Sequence, residues 1–409
     1  MGNNSKILHT FVLGILVFAT LNNFYDLLTY NFPPKMNDFK PLYVATRVFL
    51  QGGNPYEDQL IKKEWQSIKE KENLVDDIEP GLPNFPFIHP PGTLIVLSPL
   101  GQLKWQTAKY SYFFFNVVIT LCSLVLIGKI GNLLDSGKEL WLLVLSFFSF
   151  KSSILGLLFG QFFYFSFFFS MMALYCEKNQ KNFLSGLFMA LGLLKPTIGF
   201  PFLIYLLVKK KYDVFIYSTL IFIVLNLVVA IILPSSIFGS YLDMTNQSLA
   251  AGGRNDYSFQ NERFFDLTSI QTVLFFVTNS RAAVLISSIV FGLFLLSLII
   301  VKRDIYLKNS AYVLIILICS SLLLIYHRTY DCLMLSTIFL WLKPSDLIDK
   351  IKWNILFVLP LFLPFTGIAL SLKPYIPETV YHIALLNIPI SIAALLIIVM
   401  RIPYQKRYY

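Results

Sequence analysis

Apolar runs of bilayer length, separated by short polar breaks, decide what this chain can become. Runs at 7–28, 107–129, 213–233, 282–301, 310–326, 353–371 and 380–400 each approach the roughly 20 residues that a helix needs to cross a hydrocarbon core. Two longer stretches, 139–176 and 183–209, carry polar breaks at Lys151 to Gln161 and at Lys195-Pro196, and each fits a hairpin of two helices. The pieces at 92–102 and 267–277 are too short to span and read as interfacial or re-entrant. The sequence therefore predicts an all-α polytopic membrane protein of about twelve transmembrane helices, a single integral membrane domain over 1–409.

Composition agrees. Charged residues are 14% and hydrophobic residues 56%, against about 25% charged in a soluble domain. That balance excludes a free cytosolic enzyme, a secreted disulfide scaffold and a nucleic-acid-binding protein, so no nucleic acid is expected as a partner. Cys122, Cys176, Cys319 and Cys332 lie in or beside apolar runs with no Cys or His at a metal-ligand spacing. No metal site or cofactor motif is readable. The run Ile7–Leu21 has no small-residue cleavage signature after it and reads as an uncleaved first span.

Orientation follows from the basic residues. Lys and Arg crowd the connections around 178–181, 209–211, 302–308 and 343–352, whereas the opposite short breaks hold Lys151, Lys195, Arg254, Arg263, Arg328 and Lys373. The crowded side marks the cytoplasm, and both termini fall there. The net charge of +10 is then a consequence of topology. The two long and chemically varied loops, 29–91 and 234–266, face the other side, as do the breaks at 151–161, 195–196 and 327–331.

In the first outer loop, Leu42, Ala45, Phe49 and Leu50 form an apolar stripe on a segment that opens at Asn37-Asp38 and stops at Gly52-Gly53. Leu60, Ile61, Trp65 and Ile68 do the same between Asp58 and Asn73. Both segments read as helices lying on the outer membrane surface. The stretch from Pro80 to Pro91 is too rich in proline to be a regular helix.

Several residues stand out against this background. Asp38 reads either as a helix N-cap or as a general base at the membrane surface. Asp76, Asp77 and Glu79 read as a solvated charge run. Lys151 and Lys195 each interrupt an apolar run, and a cation at membrane depth is costly enough to suggest function, the other reading being a side chain that snorkels to the interface. His89, between Ile88 and two prolines, is either a satisfied loop histidine or a phosphate donor. Tyr326-His327-Arg328-Thr329-Tyr330-Asp331 packs an imidazole, a guanidinium and a carboxylate into six positions where an ordinary turn would use Gly, Pro, Asn or Ser. His327 and Arg328 can donate to phosphate oxygens, and Asp331 can orient either. In 234–266, Asn246 opens a sequon, and Asn246, Asn255, Asp256, Tyr257, Asn261, Glu262 and Arg263 suit sugar hydroxyls or any hydrated loop.

Taken in order, these fragments resemble glycosyltransferase family 87, polyprenol-phosphate-mannose-dependent mannosyltransferases of the C-type membrane fold. The resemblance rests on Asp38 followed by Tyr43, Ala45 and Leu50-Gln51-Gly52-Gly53-Asn54-Pro55-Tyr56, then on Phe87-Ile88-His89-Pro90-Pro91 with Leu97-Ser98-Pro99-Leu100. It continues at Gly160-Gln161, at Leu193-Leu194-Lys195-Pro196 and at the cluster from His327 to Asp331. The family usually has Tyr where His89 stands. The resemblance implies transfer of a sugar, mannose by analogy, from a polyprenyl-phosphate donor to a lipid or glycan acceptor hydroxyl, with inversion, on the non-cytoplasmic face of a bacterial inner membrane. It implies Asp38 as the base, and Lys195, His327, Arg328, Lys151 and His89 around the donor phosphate. Tyr43, Asn54, Tyr56, Gln161, Asp331 and Asn246 would contact substrate. A monophosphate leaving group that faces fixed cations asks for no metal. A multi-span lipid or solute transporter or flippase is the competing reading, since buried lysines and broken helices suit it too. The confinement of polar chemistry to one face argues against it.

Overall fold

The structure is a computed structural model that describes residues 3–31, 33–74, 87–133, 137–233, 236–258, 260, 261, 266–301, 310–340, 375, 377 and 386–401. The expected span at 353–371, most of the proline-rich stretch with its neighbouring acids, and Glu262 and Arg263 lie outside the described residues. Among the described residues every regular element is helical, and the only pairing of strand type is a single bridge between Leu267 and Arg328.

Helix α1 (Asn3–Asp26) ends in a wide turn, Leu27–Asn31. After it come α2 (Phe39–Leu50), α3 (Asp58–Glu72), α4 (Thr93–Gly101), α5 (Trp105–Ile130), α6 (Gly137–Ser149), α7 (Lys151–Phe159) and α8 (Phe163–Lys178). The chain continues through α9 (Asn182–Gly192), α10 (Pro196–Val208), α11 (Tyr212–Ile232), α12 (Ile237–Leu249), α13 (Ile270–Thr278), α14 (Arg281–Val301) and α15 (Ser310–Leu324). A 3-10 helix, Thr329–Leu340, and α16 (Asn387–Arg401) complete the described elements. Helix α8 packs between α5 and α9, α9 packs on α11, and α15 lies against α10, α16 and the 3-10 helix. Gly186 permits the α9–α11 approach, because a Cβ there would run into Tyr217.

The outer surface of this assembly is apolar where a soluble protein would be polar. Phe18 and Leu21 on α1, Phe114 and Val118 on α5, and Leu285, Ile289 and Leu293 on α14 are exposed. Helix α11 turns Leu220, Ile223, Val224 and Ile231 outward and buries Ser218 and Asn226, the reverse of a water-facing helix. Such a surface suits lipid, and the chain is an integral membrane protein by fold. Helices α5 and α11 are long and apolar enough to cross a membrane by themselves. Helices α6 and α7, bent at 68°, pass the same criterion together. Shorter apolar stretches lie in α1, α9, α10, α14, α15, the 3-10 helix and α16. The expectation of about twelve spans is not confirmed: among the described residues there are two clear spans, a third if the bent pair is one, and a set of further apolar helices. The breaks at Phe150, Gly160 to Phe162 and Leu193 to Lys195 divide the long apolar runs into these pieces.

Charge is divided between the two ends. At the basic end, Lys178 donates to the carbonyls of Lys129 and Ile130 at 3.3 and 3.0 Å, closing the C-terminus of α5. Buried Glu177 takes Lys209 at 2.8 Å and Lys211 at 3.0 Å, which joins α8 to the α10–α11 turn. The N-termini of α8 and α10 and the C-termini of α7 and α9 gather at the opposite end.

Helix α2 is not the surface-lying helix that its stripe suggests. Phe39 to Val48 are buried except Arg47, because neighbouring elements cover the second face as well. Phe39 stacks on Tyr112 of α5 with ring centroids 4.0 Å apart, and Trp65 of α3 meets Trp105 edge-on at 5.4 Å. Lys40 lies 4.8 Å from the Trp65 ring. Arg47 reaches Glu64 at 2.7 Å, and Glu72 accepts the Trp105 amide at the start of α5. Aromatic pairs of this type are worth about 0.5–1.5 kcal/mol each. Several together fix α2 against α3 and α5, and so fix where its first residue points.

Candidate active site

Asp38 precedes α2, but its side chain makes no cap bond to the helix. Its backbone is held instead by α7: the Met36 amide donates to Leu158 O and the Asp38 amide to Phe159 O, both at 2.8 Å. Gly160 makes that approach possible. It sits at φ +70°, and a Cβ there would stand 2.7 Å from the Cβ of Phe39. Thus the left-handed end of α7 and the start of α2 are locked together. The Asp38 carboxylate then turns away from its own helix, where Oδ2 accepts from Gln161 Nε2 and Oδ1 accepts from Arg254 Nη2 at 3.1 Å.

Arg254 comes from the loop after α12, and buried Asp256 organises that loop. Asp256 accepts from the amides of Gly252 and Ser258 at 2.8 and 3.0 Å, from the Ser258 hydroxyl at 2.5 Å and from Arg281 at 2.7 Å. Burial works against its charge, yet the bonds from Ser258 and Gly252 and the nearby Arg281 hold its pKa below the ordinary carboxylate value. Asn261 donates to the carbonyls of Arg254 and Asp256 at 3.0 and 2.7 Å. The backbone under Arg254 is consequently fixed.

The second wall is the segment joining α15 to the 3-10 helix. Arg328 is buried and donates to Tyr326 at 2.7 Å, to Arg254 O at 3.0 Å and to Asp266 at 3.5 Å, while its own amide reaches Asp331 at 3.3 Å. Asp331 also accepts from Lys195 at 2.7 Å and is 3.1 Å from His327 Nδ1, whose Nε2 lies 2.9 Å from the Ser321 hydroxyl. The Lys195 ammonium sits 4.9 Å from the Tyr330 ring. Lys195 itself occupies the N-cap position of α10, with Pro196 at the first helical position where proline is tolerated. The break in the apolar run is thus what brings the cation to Asp331. His327 is fully enclosed, and burial lowers its pKa despite Asp331, so it serves as a neutral link in this network.

His89 lies under the same cluster. Its ring is flanked by Phe87 and Phe162 at 5.8 and 5.0 Å and hydrogen-bonds to the Leu194 carbonyl. Burial and then the field of Lys195 lower its pKa to about 3, so it is a neutral imidazole at physiological pH. Lys195, Arg254 and Asp331 all act on it electrostatically, and Asp38 and Asp331 both act on Tyr330. Asp38, Gln161, Lys195, His89, His327, Arg328 and Asp331 therefore belong to one polar cluster.

The remaining candidates are placed elsewhere. Tyr43 packs in the α2 aromatic cluster and donates to Leu103 O at 2.8 Å. Asn54 bonds Ser240 of α12 at 3.0 Å and accepts the Tyr56 amide. Buried Tyr56 donates to the His89 carbonyl at 2.6 Å, so these two residues shape the loop beneath the cluster. Lys151 is mostly exposed and pairs with Asp26 at 3.3 Å. Asn246 is exposed on α12.

Sequence reasoning left Arg254 among the loop charges. The signal available was a cation directly after Gly252-Gly253 on the side poor in cations. Asp266, which holds Arg328 together with Tyr326 of the predicted cluster, was likewise missed.

Chemically, the cluster sets three cations against three carboxylates: Arg254 with Asp38, Lys195 with Asp331 and Arg328 with Asp266. It offers a carboxylate with access to solvent at the ends of broken helices, beside fixed donors suited to an anion. Neither a curated protein nor a solved structure matches the chain. One family model does: the model described as Glycosyltransferase family 87 matches residues 87–326, more than half of the chain. The match takes in His89, Gln161, Lys195 and Arg254; it begins after Asp38 and stops one residue before His327.

Proposed function

The chain belongs to glycosyltransferase family 87 and is a membrane glycosyltransferase; on that premise we propose that it moves a sugar, mannose by the family resemblance, from a polyprenyl-phosphate donor to an acceptor hydroxyl, with Asp38 as general base. The observation that carries this reading is the Asp38 carboxylate. It is not spent on capping α2, it is held against Gln161 and Arg254, and it adjoins the Lys195–Asp331–His327 network.

In the proposed reaction the acceptor hydroxyl gives its proton to an Asp38 oxygen, and its oxygen bonds to the anomeric carbon. The bond from that carbon to the phosphate oxygen breaks on the opposite face, which inverts the configuration. The electron pair leaves with the polyprenyl phosphate, which gains one negative charge as Asp38 becomes neutral. Arg254, Lys195 and Arg328 offset that charge, an effect that counts for more in a site sheltered from water. Neutral His89 and His327 hold Lys195 and Asp331 in register without adding charge. The polyprenyl chain would reach the site from the lipid along the apolar outer surface. We place the site on the non-cytoplasmic side of a bacterial inner membrane, because the opposite end of the helices carries Lys178, Lys209 and Lys211.

The test is transfer from a radiolabelled polyprenyl-phosphate sugar by purified protein, followed by product identification by mass spectrometry. Asp38→Asn is expected to abolish transfer in a protein that remains folded. Retained transfer would remove Asp38 from the role of base. Movement of intact donor across proteoliposomes without a new glycosidic bond would replace the enzyme reading with that of a transporter.

A further inference from the structure

Among the described residues each cation of the cluster is already neutralised by a carboxylate of the protein, so an incoming phosphate gains one of these cations only if its pair opens. The three pairs are unequal. Lys195 and Asp331 are 13% and 2% exposed, and Asp331 is also bound by His327 and the Arg328 amide. The Arg328 side chain is 4% exposed and donates in three directions. Arg254 is the most exposed of the three cations at 21%, facing an Asp38 that is 15% exposed, whereas the exposed member of the Arg328 pair is its carboxylate, Asp266, at 36%; Arg254 approaches Asp38 at 3.1 Å through one nitrogen.

The backbone under Arg254 and its side chain are also held differently. Asn261 and Arg328 bind its carbonyl, and the Asp256 knot holds the loop on both sides. The guanidinium points from this fixed base towards Asp38. A planar fork of this kind can trade a carboxylate for a phosphate with little change in geometry, since both accept the same bidentate pattern.

The geometry points to Arg254 as a side chain that exchanges partners during the cycle, leaving Asp38 for the phosphate of the donor. The ligand class is a prenyl phosphate anion. The inference rests on the reading above, in which Asp38 is the base and the donor carries a phosphate. It adds an order of events: donor binding frees the carboxylate that the acceptor hydroxyl then uses. A site without donor keeps its base occupied, which would limit idle hydrolysis.

The exchange makes an unusual demand on binding. If Arg254 must leave Asp38 to reach phosphate, removing the charge at position 38 should strengthen phosphate binding even as it stops catalysis. The experiment is equilibrium binding of a short-chain prenyl phosphate to the full-length protein in nanodiscs, with the corresponding prenol as the control that lacks phosphate. Asp38→Asn should bind the prenyl phosphate about tenfold more tightly than the wild type, with no change for the prenol, as expected for releasing one charge-assisted bond. Arg254→Gln should bind it about tenfold more weakly, and the gain from Asp38→Asn should vanish in the double variant. Because the loop is held through the Arg254 carbonyl, Gln at this position leaves those bonds intact. Should the Gln variant fail to fold, Arg254→Lys keeps the charge without the fork and supports the same comparison with a smaller loss. Unchanged or weaker binding by Asp38→Asn, or a gain that persists without Arg254, would overturn the exchange. If the wild type binds prenyl phosphate no better than prenol, the phosphate-donor reading itself fails, and that result is distinguishable from failure of the exchange alone.

Discussion

The two ends of the helix assembly use the same residue types for opposite purposes. At the basic end, Lys178 caps the carbonyls of α5, and Lys209 and Lys211 converge on Glu177. Cations outnumber acids there, and most keep contact with solvent. At the other end Arg254 pairs with Asp38, Lys195 with Asp331 and Arg328 with Asp266, and both histidines of the cluster are neutral. A surplus of solvated cations serves topology and helix closure. Paired charges beside broken helices are costly to bury, and a protein retains them where chemistry needs them. On the proposed function, the comparison separates charges that orient the protein from charges that act.

The largest expected difference is in turnover. Asp38→Asn should lower transfer by about a hundredfold or more, the usual scale for loss of a positioned base. Glu177→Gln, at the other end, should leave transfer within about twofold and cost stability instead, as a buried polar group loses a charge partner. Initial rates measured beside thermal unfolding in detergent would check both. An Asp38 variant with normal rates would erase the distinction between the ends.

Stability should rank the two ends in the same order. Asp331 is 2% exposed and joins Lys195, His327 and the Arg328 amide. Asp331→Asn leaves the Lys195 charge in place without its partner, for an expected loss of about 3–5 kcal/mol. Glu177→Gln should cost less, because Lys209 and Lys211 remain about a quarter to a third exposed and can turn to water. Equal losses would show that burial at the site end contributes nothing special.

Much of this division is legible in the sequence. The long apolar runs, the Lys195-Pro196 break and the 326–331 cluster are local patterns, and each marks a feature of the fold. Burial of α2 was not legible, because an amphipathic stripe does not say what will cover the other face; Tyr112 and Trp105 do so from α5. Nor was the span count, since breaks such as Phe150 and Gly160 to Phe162 cut a run of bilayer length into helices shorter than a bilayer. Arg254 escaped for a different reason. It meets Asp38 across 216 positions of sequence, and a contact of that range leaves no periodic trace in either segment. The second carboxylate, Asp331, was found because its partners His327 and Arg328 stand beside it in the chain.

A further contrast appears on acidification. His89 has a folded pKa of about 3 against an ordinary 6.5. Above pH 6.5 the imidazole is neutral in folded and unfolded chains alike, so it contributes no pH dependence. Between 6.5 and about 3 the unfolded chain binds a proton that the folded one refuses, and stability falls as pH falls. One proton sets a ceiling of about 1.4 kcal/mol per pH unit. His89→Gln should flatten that part of the stability profile. A wild-type profile that is flat from pH 6.5 to 4 would show that the ring accepts its proton without resistance.

The smallest effect should come from Lys178. Its ammonium is exposed and donates to Ile130 O and Asn132 Oδ1 at 3.0 Å and to Lys129 O at 3.3 Å, where the last turn of α5 has carbonyls without helical partners. A cation at a helix C-terminus contributes about 0.3–1 kcal/mol at an exposed position. Lys178→Ala should therefore lower stability by that amount, shrink the effect further in high salt, and leave transfer unchanged. A tenfold loss of transfer from this one surface lysine would mean that the end far from Asp38 takes part in the reaction, and the separation of orienting from acting charges would have to be abandoned.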